Sequence, residues 1–218
     1  MNLTPKEPLK EKIIEHIYSG IINEDYPQGS QIKELHLSEK FQMSRAPIRE
    51  ALLELVSLGV LEQIARKGVF VKEITSKDIY DTYESKGVIE GFLATEFARH
   101  STNEDIEKLA LHVEQMSDIS NDRKKIVKVG EEFHKLTLKY AKNSVLLDTL
   151  GKINKKSQLL FYKNWTKLYS EIEVRQRHQK IVDAIKTKDK KIIEDVIREH
   201  YFETGTKIIL LREVRWKI

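Results

Sequence analysis

The chain has 218 residues, a net charge of +4, 40% hydrophobic residues and no cysteine. That length suits one or two domains, and the lack of cysteine excludes disulfides and thiolate metal sites and fits a reducing, cytoplasmic setting. No apolar run approaches membrane-spanning length, and the charged stretch from Lys6 to Lys12 has no apolar signal core, so no membrane partner is expected.

In chain order, Ile32, Leu35, Leu37 and Phe41 mark a short helix ending near Phe41-Gln42-Met43. A second helix opens at Ser44, whose hydroxyl is expected to cap it. Pro47 falls in its first turn, where a missing N–H costs little. Ile48, Leu52, Leu55 and Val56 then form a buried stripe. Arg45 and Arg49, four apart, share another face and project together. Cations at the positively polarised start of a helix disfavour folding, so their placement points to a polyanion. Gly59 ends this helix. Val60–Ile64 and Val69–Val71 flank Ala65-Arg66-Lys67-Gly68, the pattern of a β-hairpin with two cations at its tip. Two helices joined by a tight turn and followed by a basic hairpin make a winged helix-turn-helix. Each cation alone reads as a solvated surface charge; the ordered set within one segment reads as a nucleic-acid face. The net charge does not carry this reading, because residues 1–75 hold ten Lys/Arg against eleven Asp/Glu. The signal is the local clustering.

These residues resemble the winged-helix domain of the GntR family of bacterial transcription regulators over residues 9 to 74. The match runs through Leu9 to Ile22 as a first helix, Pro27-Gln28-Gly29-Ser30 as connector and Ser44-Arg45-Ala46-Pro47-Ile48-Arg49-Glu50-Ala51-Leu52, which is highly specific. Leu58-Gly59-Val60-Leu61 and Lys67-Gly68-Val69-Phe70-Val71 complete it. The resemblance implies that Arg45 and Arg49 contact bases or phosphates, that Ser44 and Ala46 lie at the helix start, and that Gly68, beside Arg66 and Lys67, brings the wing near the minor groove. Leu35 departs from the pattern, standing where many relatives carry a DNA-gripping arginine.

Beyond a linker at Lys72–Ser76 the periodicity is helical. Thr75 or Ser76 opens a helix with Ile79, Tyr83, Leu93 and Phe97 in register. Thr102 or Asn103 opens one with Ile106, Leu109 and Val113. Ile126, Val129, Phe133, Leu136 and Tyr140 mark a third. Asn143 or Ser144 starts a long one through Leu146, Leu150, Ile153, Leu160 and Trp165. Val174, Ile181 and Ile185 follow, then Ile193, Val196, Ile197, Ile208 and Leu211. No proline follows Pro47, which suits helices. The expected fold is mainly α: a winged helix-turn-helix of three helices plus a β-hairpin in residues 1–75, and an antiparallel six-helix bundle in residues 76–218.

His16, His36, His100 and His112 read as surface residues. His134 follows Phe133, His178 lies four after Val174 and three before Ile181, and His200 lies three after Ile197, so each faces the interior from a different helix. Three imidazoles on three helices can hold a metal or be core histidines bonded to carbonyls and buried water.

Residues 78 to 212 resemble the FCD domain, the all-helical ligand-binding domain of the FadR-type GntR subfamily. The match lies in Asp78-Ile79-Tyr80-Asp81, Ile89-Glu90-Gly91, Phe133-His134-Lys135-Leu136 with Ala141-Lys142-Asn143, Arg177-His178 with Asp183-Ala184-Ile185, and His200-Tyr201. Metal-binding members use three histidines plus an aspartate one turn before the first. His134, His178 and His200 fall on the histidine positions, and Gly130 on the aspartate position. Either three imidazoles with water and effector hold a divalent metal, zinc or nickel rather than calcium or magnesium, or the site is metal-free. Glu131 and Glu132 are expected to rotate off the site face. Many relatives bind an effector carboxylate with an arginine on the first bundle helix. Lys86 stands there, beside Tyr83, and either binds an acid as a point charge or pairs with Glu90 four residues on.

The expected function is a ligand-responsive DNA-binding repressor, not an enzyme: a homodimer on a near-palindromic duplex operator, modulated by a small organic acid. The alternatives are a three-histidine metal hydrolase, against which no HExxH-type motif is present, and a winged-helix interaction module without DNA binding.

Overall fold

The computed structural model describes residues 9–116 and 123–215, without the side chains of 123–127, 161–167 and 213–215. The chain forms two compact units that divide between Thr75 and Ser76.

In the first unit, α1 (Leu9–Ile22) buries Ile13 and Ile17. α2 (Glu34–Phe41) ends on Gln42 in the left-handed conformation, and α3 (Arg45–Ser57) buries Ile48, Ala51, Leu52 and Leu55. Strands β1 (Gln31–Ile32), β2 (Leu61–Ile64) and β3 (Gly68–Val71) form an antiparallel sheet in the order β1-β3-β2. Two expectations are corrected here. Ile32 belongs to a strand, not to the short helix: it pairs with Val69 and is buried in the sheet. Ser44 does stand at the N-cap of α3 in extended conformation, but its hydroxyl makes no capping bond. A capping side chain bonds the second or third amide of the helix, and Pro47, the third residue of α3, has no N–H to offer, which leaves the amide of Ala46 as the one a cap could take.

The second unit, among the described residues, is six helices: α4 (Ser76–His100), α5 (Asn103–Gln115), α6 (Arg123–Thr137), α7 (Ser144–Leu168), α8 (Glu171–Thr187) and α9 (Lys190–Arg215). Their starts are set by side chains. Thr102 and Ser170 form reciprocal capping boxes with Asp105 and Glu173, and Asn143 accepts from the amide of Leu146. Asp105 also receives Lys139 at 2.6 Å and Tyr140 at 2.7 Å, which ties the chain after α6 to the start of α5. Those bonds hold its carboxyl far below the usual range. The buried stripe is the one expected, with Ile79, Leu93, Phe97, Leu109, Phe133, Ile181 and Ile208 at 1% exposure or less. The expected core positions Ile126 and Trp165 lie outside the described side chains.

α4 and α9 pack backbone to backbone because glycines allow it. A Cβ on Gly87 would stand 3.1 Å from the Cα of Arg198, and one on Gly205 2.9 Å from the Cβ of Tyr83. This approach carries His200 and Tyr201 of α9 to the face of α4 that holds Lys86 and Glu90. No described helix is long and apolar enough to cross a membrane.

Candidate nucleic-acid surface and bundle cavity

On the winged helix, Ser44, Arg45, Ala46 and Arg49 are all exposed at the start of α3. Arg49 remains 61% exposed while its Nε donates to Glu34 of α2 at 2.8 Å. The like charges at this helix start are therefore partly balanced within the unit itself. Ser44 is exposed and its hydroxyl makes no capping bond, at a helix end whose dipole favours anions. The wing presents Arg66 at φ 63° and Lys67, both exposed, and Gly68 at φ 112°. Gln31 Nε2 donates to the Lys67 carbonyl at 2.7 Å and would lie 2.9 Å from a Cβ on Gly68. Glycine is thus favoured by its backbone conformation, whereas the Gln31 amide, at the end of a flexible side chain, could move aside. Leu35, at the departure from the family pattern, is 53% exposed.

In the bundle, His134 of α6, His178 of α8 and His200 of α9 come together. One ring nitrogen from each lies within 4.8 Å of the others, and the ring centroids are 5.0–5.3 Å apart. Two rings have their tautomers set from behind. His178 Nδ1 stands 2.8 Å from the Val174 carbonyl. A carbonyl only accepts, so Nδ1 carries the proton and Nε2 keeps its lone pair. His134 Nδ1 lies 3.2 Å from Glu90 Oε2 and 3.1 Å from the Tyr201 hydroxyl. Tyr201 donates its single proton to Glu90 at 2.5 Å, so both neighbours accept from His134, and its Nε2 is the free lone pair. A carboxylate or carbonyl behind an imidazole is the arrangement that orients metal-ligating histidines. His200 Nδ1 is buried and has no hydrogen-bond partner among the described residues, a cost that a bound group would relieve.

Electrostatics keep two of the donors, His178 and His200, neutral. Burial, with the other histidines adding to it, pushes His178 down to about 3 and His200 well below the usual imidazole range. Neutral rings are the form that binds metal. Burial opposes the charge on Glu90, but Lys86, His134 and Tyr201 together outweigh it and hold its carboxyl below the usual range. For Lys86 burial wins over the attraction of Glu90, and its pKa falls. Burial and the Glu90 charge raise the Tyr201 hydroxyl, which stays a donor.

The rings line a cavity of about 110 Å³. Of the expected effector residues, Tyr83 and Lys86 line it and Glu90 does not; Glu90 sits behind, bonded to His134 and Tyr201. Lys86 stands 3.8 Å from Glu90 and 3.5 Å from Ser157 Oγ, so the lysine both pairs and faces the cavity. Tyr83 points its hydroxyl at the Ser157 carbonyl, 3.4 Å away. Gly130 is in the wall, where a Cβ would meet His178 Nε2 at 4.0 Å. Glu131 also lines the cavity, contrary to expectation, because Gln158 of α7 bonds its carboxylate at 2.8 Å and holds it there. Glu131 is still not within the histidine cluster.

Arg177 and Tyr169, which spacing alone did not single out, complete the wall. The guanidinium stacks on the Tyr169 ring at 4.2 Å. It bonds the Glu203 carboxylate, the His200 carbonyl and, at 3.1 Å, Thr204 Oγ1. His16, expected at the surface, is half-buried against Tyr26 and Phe41. His112 is half-buried too, with Nδ1 on the Lys108 carbonyl.

Comparison with known proteins accounts for both units. Residues 9–71 match the model of bacterial regulatory proteins of the gntR family, and residues 81–203 match that of the FCD domain. The HTH-type transcriptional regulator YdhC of Bacillus subtilis is 25% identical over 83% of this chain and 82% of its own. The probable D-xylose utilization operon transcriptional repressor of Paenarthrobacter nicotinovorans is 22% identical over 92% and 90%. Among solved structures, McbR/YncC of E. coli shares the fold with a TM-score of 0.72, at 17% identity over 94% of this chain and 99% of that one. Matches of this kind are to regulators, which removes the hydrolase and the DNA-independent module from consideration. With both of its folded units accounted for in this way, the chain belongs to the GntR family of bacterial transcription regulators, as a ligand-responsive DNA-binding protein that carries an FCD domain.

Proposed function

We propose that the protein is a cytoplasmic repressor that acts as a homodimer on a near-palindromic operator and is modulated by a small carboxylate metabolite bound in the bundle cavity beside a divalent ion. The single observation that carries this is the trio His134, His178 and His200: three imidazoles from three helices, with ligand atoms within 4.8 Å, walled into one cavity with cationic side chains. Three nitrogen donors fit zinc or nickel, whereas calcium and magnesium prefer oxygen. Such an ion, when bound, would supply positive charge and open coordination positions to an acidic effector. The orphaned His200 nitrogen and the preset tautomers of His134 and His178 support that occupancy.

On the DNA side, Arg45 and Arg49 read base edges, Ser44 and Ala46 meet the backbone at the α3 start, and Arg66, Lys67 and Gly68 bring the wing to the minor groove. Phosphate contacts position the protein and base contacts give sequence choice. To act as a switch, the effector must bind two arrangements of the dimer with different affinity. Repression is supported by the name of the Paenarthrobacter relative.

The test is selection from random duplexes with purified full-length protein, followed by fluorescence anisotropy on the enriched sequence with and without chelator. An inverted repeat is expected, with affinity that changes when metal is removed. Failure to enrich any sequence would reject the operator model, and an enriched site whose affinity ignores metal and every acid would reject the bundle as its control.

A further inference from the structure

Lys86 is the cation that the sequence offers to an acidic effector, but Glu90 and Ser157 already hold it, and burial disfavours its charge. Arg177 is differently placed. Its side chain is 11% exposed, and it lines both the buried cavity and an open groove of about 400 Å³ on the surface of α8 and α9. Tyr169 is the other residue common to both spaces, so these two side chains form the partition between them. The Tyr169 ring is held by cations, with the Arg177 guanidinium 4.2 Å and Lys207 Nζ 4.0 Å from its centroid. Outside, Lys180 and Lys207 line the groove together with Glu203 and Glu173, which pairs with Lys207 at 3.3 Å, so the cations there outnumber the carboxylates only when Arg177 is included.

The carboxylate that Arg177 bonds comes from Glu203, which is 41% exposed and belongs to the groove. A guanidinium offers five donors in a planar fork. Exchanging one carboxylate for another on that fork conserves the charge-assisted bonds, whereas a neutral ligand would lose them.

We propose that Arg177 is the receptor for the effector's carboxylate, which enters from the α8–α9 groove past Tyr169 and takes the guanidinium from Glu203. This rests on the carboxylate-effector reading above and adds its receptor, its route and its size class. A cavity of about 110 Å³ is smaller than the void of about 150 Å³ that encloses a benzene. The enclosed part is therefore only a few carbon and oxygen atoms, with any remainder in the groove. An acid so bound is one residue from His178 and, through Arg177, touches the His200 carbonyl, so it bridges α8 and α9 at the histidine cluster.

The test is isothermal titration of the full-length protein with a panel of mono- and dicarboxylic acids of two to six carbons, each paired with its uncharged amide. Metal content and melting temperature serve as controls for folding. At least one acid should bind in preference to its amide. Its affinity should fall about ten-fold or more in Arg177→Gln and in Arg177→Lys, which keeps charge but loses the fork, and rise about three- to ten-fold in Glu203→Gln, where the competitor is gone. A purely structural Arg177–Glu203 pair would instead weaken binding in Glu203→Gln as well, and that result overturns the proposal. So does unchanged affinity in the Arg177 variants alongside a loss in Lys86→Gln, which would leave the carboxylate effector standing with Lys86 as its receptor. If every acid binds no better than its amide, the carboxylate reading itself fails and takes this one with it.

Discussion

His134 Nδ1 stands 3.2 Å from a carboxylate oxygen of Glu90, a residue only 2% exposed and anchored on the other side by Tyr201. A buried carboxylate is costly unless paired, and Glu90 is paired on every side: by Lys86, by Tyr201 and by the imidazole. Its position behind the ring fixes which nitrogen of His134 faces the cavity. Glu90→Gln should therefore weaken zinc binding about 10- to 100-fold, the usual cost of losing such a partner. Chelator competition on the purified variant measures this. Glu90→Gln also leaves Lys86 buried without its partner, so the variant should melt earlier. The double variant with Lys86→Met should recover part of that melting temperature and none of the zinc affinity. Zinc affinity that follows stability instead would mean that Glu90 only holds the fold.

Gly130 is the departure from the metal-binding pattern, and its surroundings leave room to reverse it. Among the described residues a Cβ there meets only His178 Nε2, at an ordinary contact distance of 4.0 Å. It is also four residues before His134 on the same face of α6. Gly130→Asp should add an oxygen donor, tighten zinc binding at least about ten-fold and remove the helix cost of a glycine, part of roughly 1 kcal/mol. Slower zinc loss to a chelator, together with an unchanged or raised melting temperature, is the expected outcome. An aspartate that leaves the rate unaltered would show that the histidines do not share an ion near α6.

Much of this site is legible in sequence because helices translate spacing into direction. His178 is four after Val174 and three before Ile181, and that register alone turns it inward. Arg177 escapes by the same logic read less strictly: it is three after Val174 and four before Ile181, an equally inward spacing, but arginine is read as surface by habit. Its buried partners, the His200 carbonyl and Thr204, lie on another helix and leave no trace in its own segment. Glu131 lines the cavity because Gln158 bonds it across from α7, again a tertiary cause. In the winged helix, β1 is two residues long and pairs with β3 about 38 positions away, too short to show a period. The missing Ser44 cap, by contrast, is legible in part: Pro47 at the third helical position removes one of the two amides that a cap can use.

At the start of α3, Arg49 is paired with Glu34 at 2.8 Å yet mostly exposed. An exposed pair of this kind is worth little, so DNA can take the arginine at small cost. Arg49→Ala should lower operator affinity by about 1–3 kcal/mol if the side chain makes a bidentate base contact, with relaxed preference at one base position. Glu34→Gln should move the other way, modestly strengthening binding by removing a competitor and a negative charge near the phosphates. Anisotropy titrations at two salt concentrations separate the two effects. Equal affinity for Arg49→Ala and the native protein would remove this arginine from the reading surface.

Acid should reveal the buried imidazoles. Burial holds His178 at about 3 and His200 well below its usual range, while an unfolded histidine titrates near 6.5. Between those values the unfolded chain binds protons that the folded chain refuses. Stability is then complete above about pH 6.5 and is lost progressively as pH falls toward the folded pKa. At pH 5 one such histidine costs about 2 kcal/mol. Urea midpoints of the metal-free protein at pH 7.5 and pH 5 should differ accordingly. His178→Asn should shrink the difference by about 2 kcal/mol, since one refused proton has been removed. Parallel losses in the native protein and the variant would mean that His178 takes up its proton while folded. Its Nδ1 would still face the Val174 carbonyl, but its Nε2 would no longer offer the lone pair on which the three-histidine cluster depends.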